Sequence, residues 1–312
     1  MRTGDGVAIN KVFFVCPRVL TGGPLNIHQV CTHLNAIGAA AQIVYHPNPE
    51  GDHTPLYSGF PHLKIAERLE DGVGNLIVIP ETYTIGNARE HFPNCTIALW
   101  WLSYVNAALS GALTDNIAHH AEAIHLFQSY YAYAMVRPHL SWDTWWFFLT
   151  DHLQEAHLEL NPQDFVAGKR DIVCFNGNKD NITEHLCKKA NIDCIPIKGM
   201  TRSQMMETLQ KCKVYVDNSF HPGKDRLPRE AAMNGCVVIT NKSGSAAYFE
   251  DVPIEEKVAL ELDLYELIPT VFADYGYYFD KQESYREAIR SEMMVFAINA
   301  ENFWRRITES ST

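Results

Sequence analysis

The sequence has little that would suit a membrane span or a surface for polyanions. Its longest apolar stretches, such as Cys95 to Leu102 interrupted by Thr96, are far shorter than the roughly 20 residues needed to cross a bilayer. Lysine and arginine number 26 against 37 aspartate and glutamate, which gives a net charge of −11. Nucleic acids and anionic membranes are bound through positive surfaces, so this balance argues against both as general partners. We expect a soluble protein without a transmembrane segment, in which a local basic site holds any anionic ligand.

Signals for disulfide bonding and for secretion are also lacking. The eight cysteines include no Cys-x-x-Cys pair, which favours reduced core residues over a disulfide framework or a zinc site. Residues Met1 to Asn10 lack the charged start and the long apolar centre of a signal peptide. Both observations predict a cytoplasmic protein.

Common nucleotide and metal motifs are missing as well. The chain has no Gly-x-Gly-x-x-Gly fingerprint and no Gly-x-x-x-x-Gly-Lys-Ser/Thr loop. Their absence weakens the case for a dinucleotide oxidoreductase and for a P-loop NTPase. The 14 histidines show no His-Glu-x-x-His spacing, and we expect no metal site.

At 312 residues the chain is long enough for two domains, and its apolar segments alternate between strand and helix patterns. A β-rich run leads into Thr21-Gly22-Gly23-Pro24 and then into apolar residues at helical spacing. The connector from Asn161 to Arg170 precedes a second series of the same kind. The predicted strands are Lys11–Cys16, Ala41–Tyr45, Leu76–Ile79, Thr96–Leu102, Ile124–Phe127, Asp171–Phe175, Ile192–Ile197, Val214–Asp217 and Val237–Thr240. The predicted helices of the second series are Ile182–Ala190, Ser203–Cys212 and Arg229–Asn234.

This alternation predicts an α/β fold of two Rossmann-like domains, whose parallel sheets face a central cleft. We place the amino-terminal domain at residues 1–163 and the carboxyl-terminal domain at 164–282. In residues 283–312, apolar side chains from Tyr285 to Ile307 recur three, four or seven apart. They predict a long amphipathic helix that crosses back to the first domain.

Gly22 and Gly23 stand where a strand ends and a helix begins. The free N–H groups and the positive dipole at a helix start can hold a phosphate. The alternative is a tight turn that only needs the conformational freedom of glycine.

A more specific signal is the segment from His221 to Thr240. It follows a strand, and its part from His221 to Arg229 carries Lys224, Arg226 and Arg229 with a single carboxylate, in a chain that is otherwise acidic. Because ligands bind at the carboxyl ends of strands in open α/β sheets, this loop could clamp a diphosphate. The alternative is a solvated basic loop.

Residues 213–254 resemble the carboxyl-terminal domain of retaining GT-B glycosyltransferases of glycosyltransferase family 4. The signature of that domain is a loop, then Glu-Ala-x-x-x-Gly and an apolar strand. Glu230-Ala231, Gly235 and Val237–Ile239 match it. The rest of the chain is similar more loosely, at Gly22-Gly23, Ile79 to Tyr83, Trp100 to Ser103, Gln128 to Tyr133 and Phe175 to Lys179.

The resemblance implies a metal-independent enzyme that moves a hexose from a nucleotide diphosphate sugar to a glycan or glycoconjugate acceptor, with retention of the anomeric configuration. GDP-mannose is the favoured donor and UDP-glucose the next, on the frequency of donors in the similar families alone. No cofactor beyond this co-substrate is expected, and a homodimer is left open. The residues assigned to the donor are Gly22, Gly23, Lys179, Gly223, Lys224, Arg226, Arg229 and Glu230, and those assigned to catalysis are Asp225, Arg226 and Lys224.

One position departs from the family pattern. The family pairs its helix glutamate with another eight positions earlier, where this chain has Pro222. Either Asp225 or the N–H groups of Gly223 and Lys224 would then contact the donor sugar. The departure also leaves open a catalytically silent subunit that binds a sugar nucleotide, and a dinucleotide oxidoreductase is the less favoured alternative.

Overall fold

The computed structural model describes residues 8–48, 50–180 and 182–309. Residues 1–7, on which the cytoplasmic expectation partly rests, lie outside the described residues. The described residues up to His152 and from Met293 onward form unit 1, and Leu153–Glu292 form unit 2. None of the described helices combines the length and apolar character that crossing a bilayer demands.

Unit 1 contains a six-stranded sheet in which all neighbouring strands are parallel, in the order β2-β1-β3-β4-β5-β6. Its central strands are buried along nearly their whole length, as expected for a parallel sheet covered on both faces. The strands are β1 (Lys11–Cys16), β2 (Ala41–Tyr45), β3 (Asn75–Pro80), β4 (Thr96–Trp101), β5 (Ile124–Phe127) and β6 (Trp146–Phe148).

The helices of unit 1 connect these strands. Three of them begin with a serine or threonine whose hydroxyl accepts a backbone N–H of the first turn, which satisfies a donor that the helix itself cannot. The helices are α1 (Gly22–Ala36), α2 (Ile85–His91), α3 (Tyr104–Leu109), α4 (Leu113–Ala118) and α5 (Tyr130–Val136).

Unit 2 contains a five-stranded parallel sheet in the order β11-β10-β9-β7-β8. Its strands are β7 (Arg170–Asn176), β8 (Cys194–Ile197), β9 (Cys212–Asp217), β10 (Val237–Asn241) and β11 (Lys257–Val258). Its helices are α6 (Glu155–Leu158), α7 (Ile182–Ala190), α8 (Arg202–Lys211), α9 (Arg226–Met233), α10 (Leu264–Ala273) and α11 (Tyr275–Lys281). The predicted α/β fold with two Rossmann-like units is confirmed.

The last helix, α12 (Glu283–Glu309), contributes to both cores. Tyr285 and Ile289 are buried in the core of unit 2. Phe296, Phe303 and Ile307 are buried in the core of unit 1. The predicted amphipathic helix is therefore present, and its second part belongs to the first unit.

The chain passes from unit 1 to unit 2 before the connector that the sequence suggested. Leu153 is fully buried in the core of unit 2, and Leu158 packs against the same core. Both residues precede the predicted boundary at residue 163. Unit 2 begins earlier because the short helix α6, which contains Leu158, already packs on α9.

Helix α9 begins earlier than predicted. The sequence suggested a start at Arg229-Glu230, but the helix runs from Arg226. Pro228 is tolerated because the N–H groups of the first turn have no partner within the helix, so the missing N–H costs little there. Glu230 consequently lies in the second turn and not at the opening of the helix.

A buried lysine fixes the far ends of the two helices next to β9. The ammonium of Lys169 donates to the carbonyl of Leu209, in the last turn of α8, at 2.7 Å, and to that of Asn234, which follows α9, at 2.7 Å. Cations are favoured at helix carboxyl ends. The next residue, Gly235, has a φ of +81°, and a Cβ there would lie 3.0 Å from Lys169 Cε. A residue other than glycine at this position of the family signature would strain the backbone and would crowd the Lys169 side chain.

Candidate functional site

Both sheets have a point at which the strand order reverses, and open α/β sheets bind ligands beyond the strand ends there. In unit 2 this point lies between β7 and β9, which pair directly. The turn after β7 carries Lys179. The loop after β9 runs from Asn218 to Asp225, where α9 begins. The predicted basic loop therefore occupies the position expected for a ligand site.

Lys179 and Asp225 connect the two segments. Lys179 Nζ lies 3.4 Å from Asp225 Oδ1, although the residues are 46 positions apart. The lysine side chain is 42% exposed, so its ammonium can reach solvent and ligand. The structure thus brings together two of the predicted site residues.

His221 lies between two carboxylates in this loop. Its Nδ1 is 3.3 Å from Asp225 Oδ2, and its Nε2 is 3.7 Å from Asp217 Oδ1. The Asp217 carboxylate also accepts hydrogen bonds from the hydroxyl of Tyr215, at 2.8 Å, and from Ser219. Because the histidine side chain is only 1% exposed, a buried line of polar groups runs from the sheet to the start of α9.

The charges of this cluster support one another. Burial alone would lower the pKa of His221, but hydrogen bonding and charge from Asp225 and Asp217 outweigh it and raise the pKa above its usual value. Burial would likewise raise the pKa of Asp225, yet His221 and Lys179 together lower it. The carboxylate and the imidazolium therefore stabilise each other's charged forms.

Lys224 and Arg229 face a carboxylate of α12. Lys224 Nζ lies 3.0 Å from Glu292 Oε1, and Arg229 Nη1 lies 2.7 Å from Glu292 Oε2. Arg229 also donates to the backbone carbonyls of Lys224 and Asp225. With its side chain 1% exposed, Arg229 holds the loop in place through these contacts, and its ligand role stays a prediction.

Arg226 and Glu230 lie one turn apart on α9. Arg226 is the first residue of the helix and is partly buried. The Glu230 side chain is 16% exposed, and its Oε1 lies 3.8 Å from His157 Nε2. Burial, assisted by the charges of Arg202 and Arg226, lowers the pKa of His157 to about 4. The contact between His157 and Glu230 is therefore not an ion pair at neutral pH.

The turn after β10 fixes the backbone of the basic loop. Ser245 N–H donates to the carbonyl of His221 at 3.0 Å, and Ser245 Oγ donates to the carbonyl of Gly223 at 2.6 Å. Gly244 has a φ of +56°, and a Cβ there would overlap the His221 carbonyl. The shape of the loop thus depends on glycine at this position.

In unit 1 the strand order reverses between β1 and β3, and Gly22 and Gly23 are the first residues of α1. Neither has a positive φ, so these positions do not require the left-handed backbone conformation that favours glycine. A Cβ on Gly23 would lie 3.3 Å from Leu102 Cδ1, which favours a small residue there. The ligand role of both glycines stays a prediction.

Glu81 follows β3 in the same part of unit 1. Its carboxylate is buried and accepts the N–H of Leu102 at 3.2 Å. Burial raises its pKa to about 7, although backbone N–H groups and the Asn106 side chain act in the opposite direction. A carboxyl group with a pKa near neutrality therefore accepts a hydrogen bond from Leu102. The side chain of the same Leu102 lies close to Gly23.

Among the described residues, Asp217, His221 and Asp225 could surround a divalent cation, since one ligand atom from each lies within 4.8 Å of the others. The oxygens of Asp217 already accept hydrogen bonds from Tyr215 and from Ser219. The absence of a metal requirement stays a prediction.

Sequence reasoning predicted Asp225 but missed three other residues of this site, Asp217, His221 and Glu292. Asp217, His221 and Asp225 recur four positions apart, and this spacing could have indicated a polar cluster although the segment is not helical. Glu292 gave no comparable signal because it lies 63 positions from Arg229, within an ordinary amphipathic pattern.

No protein-family model and no curated protein sequence matches this chain. Three solved structures share its fold. Sucrose-phosphate synthase from Thermosynechococcus elongatus is 14% identical, with a TM-score of 0.74 over 96% of this chain and 100% of that one. HepE from Anabaena, in complex with UDP and glucose, is 12% identical, with a TM-score of 0.63 over 96% and 98%. Trehalose 6-phosphate synthase from Burkholderia multivorans is 10% identical, with a TM-score of 0.60 over 97% and 100%. At these identities the likeness shows the fold alone, which is the GT-B fold of glycosyltransferases.

Proposed function

We propose that this chain is a glycosyltransferase that takes its sugar from a nucleotide diphosphate sugar. The observation that carries the proposal is the pairing of Lys179 with Asp225 across the reversal point of the unit 2 sheet, next to Arg226 at the start of α9. The GT-B fold supports it, and HepE, a protein of this fold, was solved with UDP and with UDP-glucose.

In this proposal, the diphosphate lies at the start of α9. Lys179 and Arg226 supply positive charge, and the first N–H groups of the helix supply hydrogen bonds and the positive end of its dipole. As the bond to the sugar breaks, negative charge grows on the departing diphosphate, and groups fixed in advance stabilise it. Lys224 and Arg229, paired with Glu292, keep the loop in its shape.

The sugar and the ribose are assigned to neighbouring groups. We propose that Glu230 accepts hydrogen bonds from the ribose hydroxyls. The N–H groups of Gly223 and Lys224 take the place of the carboxylate missing at Pro222. Asp225 divides its oxygens between His221 and Lys179, so its contribution to catalysis is to hold the lysine.

Family 4 membership, retention of configuration and independence from metal ions belong to the same proposal. Proton NMR of the first product formed from an α-linked donor should show an α linkage. A β linkage, or activity that requires Mn²⁺, would contradict these three points without affecting donor binding.

GDP-mannose and UDP-glucose are the two donors to test first for binding. The sequence resemblance favours GDP-mannose, whereas the HepE structures hold UDP and UDP-glucose. Calorimetric titration with a panel of nucleotide sugars decides between them. Binding of none of the panel would overturn the proposed function.

Replacement of Lys179 or Arg226 by alanine tests the site. Charge-assisted hydrogen bonds are worth about 1.5–3 kcal/mol, so donor affinity should fall roughly tenfold to a hundredfold. Lys188, a 71% exposed lysine of α7, gives the matched control, and its alanine variant should bind donor as the unmodified protein does.

A catalytically silent sugar-nucleotide subunit is the second candidate, and Pro222 in place of the family's first glutamate favours it. Donor that binds but is neither hydrolysed nor transferred to any glycan acceptor would identify that case. A homodimer stays a prediction that sedimentation can check.

A further inference from the structure

His221 is held at both its backbone and its ring. The carbonyl accepts the N–H of Ser245 at 3.0 Å. Nε2 of the ring points to Asp217, 3.3 Å from its carbonyl oxygen and 3.7 Å from Oδ1. Asp217 is in turn fixed by the hydroxyls of Tyr215 and Ser219. The ring therefore has a defined position before any ligand arrives.

The opposite edge of the ring meets Asp225. His221 Nδ1 lies 3.3 Å from Asp225 Oδ2, while Asp225 Oδ1 lies 3.4 Å from Lys179 Nζ. The two oxygens of one carboxylate are thus divided between the buried histidine and the exposed lysine. Rotation of this carboxylate would remove its contact with the lysine, and Asp225 is also the residue that precedes α9.

We propose that His221 is a positioning residue for the donor site: clamped between Asp217 and Asp225, it fixes the Asp225 carboxylate and, through it, the ammonium of Lys179 and the start of α9. The part that concerns donor binding rests on the proposed function. The part that concerns the loop does not.

Charge supports this arrangement. An imidazolium between Asp217 and Asp225, with Lys179 on the outer side, gives two positive and two negative groups. Asp217 faces the ring from β9 and Asp225 faces it from the residue before α9, whereas Lys179, in the turn after β7, contacts the other oxygen of Asp225. A neutral amide at position 221 could donate one hydrogen bond but would leave one carboxylate without a cationic neighbour.

The first test needs no ligand. We compare His221→Asn with His185→Asn, which removes an exposed histidine of α7. Hydrogen exchange of the backbone amides of Arg229 and Glu230 should become roughly tenfold faster in His221→Asn and stay unchanged in His185→Asn. Nitrogen NMR of the histidine rings should show that His221 keeps both nitrogens protonated to a pH above the usual histidine pKa.

The second test is a double-mutant cycle on the affinity for UDP and for GDP. If His221 acts through Asp225 on Lys179, His221→Asn weakens binding about fivefold in the presence of Lys179 and less than twofold in Lys179→Ala. The control cycle of His185→Asn with Lys179→Ala should show no coupling. If His221→Asn does not fold, His221→Gln, which keeps the ring's length and one donor, replaces it.

Each outcome has a defined meaning. Full effects of both substitutions in the double variant, or unchanged hydrogen exchange, would overturn the positioning role while leaving the proposed function intact. A His221 ring that becomes neutral at or below the usual histidine pKa would overturn the charged clamp. Tight binding of Zn²⁺ or Mn²⁺ that His221→Asn abolishes would overturn it too, because the cluster would then be a metal site. Failure of UDP and GDP to bind the unmodified protein would remove the proposed function, and the hydrogen-exchange result would then decide on the loop alone.

Discussion

Arg229 and Glu292 form an ion pair of 2.7 Å in which both side chains are almost fully buried, so that α12 holds the loop before α9. The same carboxylate accepts Lys224 at 3.0 Å. One glutamate, far away in the sequence, therefore balances two of the three cations of the basic loop.

Glu292→Gln should destabilise the protein strongly. The substitution leaves the buried guanidinium of Arg229 without its counter-charge, and breaking such a pair costs roughly 3–5 kcal/mol. Urea unfolding followed by circular dichroism measures this loss. Glu287→Gln, at an exposed position of the same helix, should change the free energy of unfolding by less than about 0.5 kcal/mol. Equal effects of the two variants would show that the pair does not hold the loop.

Glu230→Gln should weaken donor binding without a matching loss of stability. Hydrogen bonds to a charged group are worth about 1.5–3 kcal/mol, which corresponds to a tenfold to hundredfold loss of affinity. The alternative, a stabilising interaction with the helix dipole, is confined to the first turn, and Glu230 lies in the second. Calorimetry and the melting temperature are measured on the same sample, with Glu207→Gln on α8 as the exposed control. Normal affinity with a lowered melting temperature would remove Glu230 from the site.

Gly244→Ala and Gly199→Ala form a matched pair. Both glycines have positive φ, +56° and +64°, so both variants pay the cost of about 1–2 kcal/mol for a left-handed residue. Only at Gly244 would the new methyl overlap a backbone atom, the carbonyl oxygen of His221, whereas nothing lies within 4 Å at Gly199. We expect Gly244→Ala to lose at least about 2 kcal/mol more in chemical unfolding, and to weaken donor binding. Similar losses in both variants would mean that the turn after β10 does not shape the loop.

Glu81→Gln should remove a pH-dependent loss of stability that the buried Glu81 carboxyl causes in the unmodified protein. The pKa of Glu81 is raised from 4.5 to about 7 in the folded protein, so ionisation is disfavoured by folding and the unmodified protein loses stability as pH rises between these values. The loss amounts to roughly 3 kcal/mol. From pH 4.5 to pH 8 the unmodified protein should therefore lose roughly 3 kcal/mol of unfolding free energy relative to Glu81→Gln, which has no carboxyl group at this position. Parallel stability curves would contradict a buried, titrating carboxyl.

Much of the fold could be predicted because buried parallel strands are short apolar runs. Predicted and observed bounds coincide for β1, β2, β5 and α7. The edge strand β6 was missed because its three aromatic residues are only half-buried and show no contrast between faces. The predicted start of α9 was three residues too late, and the observed helix includes Pro228 because its first turn accepts a proline.

The site could be predicted only in part. Lys179 and Asp225 could be expected together because strands β7 and β9 end at the same edge of the sheet. The internal roles of Lys224 and Arg229 could not, since they depend on Glu292, whose position is fixed by the packing of Tyr285 and Ile289 and by no local pattern.

The division of α12 between the two units has a consequence for synthesis. Phe296, Phe303 and Ile307 complete the core of unit 1, yet the ribosome makes them after the whole of unit 2. While the intervening segment folds, the earlier sheet waits with part of its apolar face uncovered, at a time when an elongating chain is most exposed to aggregation. A fragment ending at His152 would keep that face uncovered permanently, so the smallest independent version of unit 1 must carry the last helix with it.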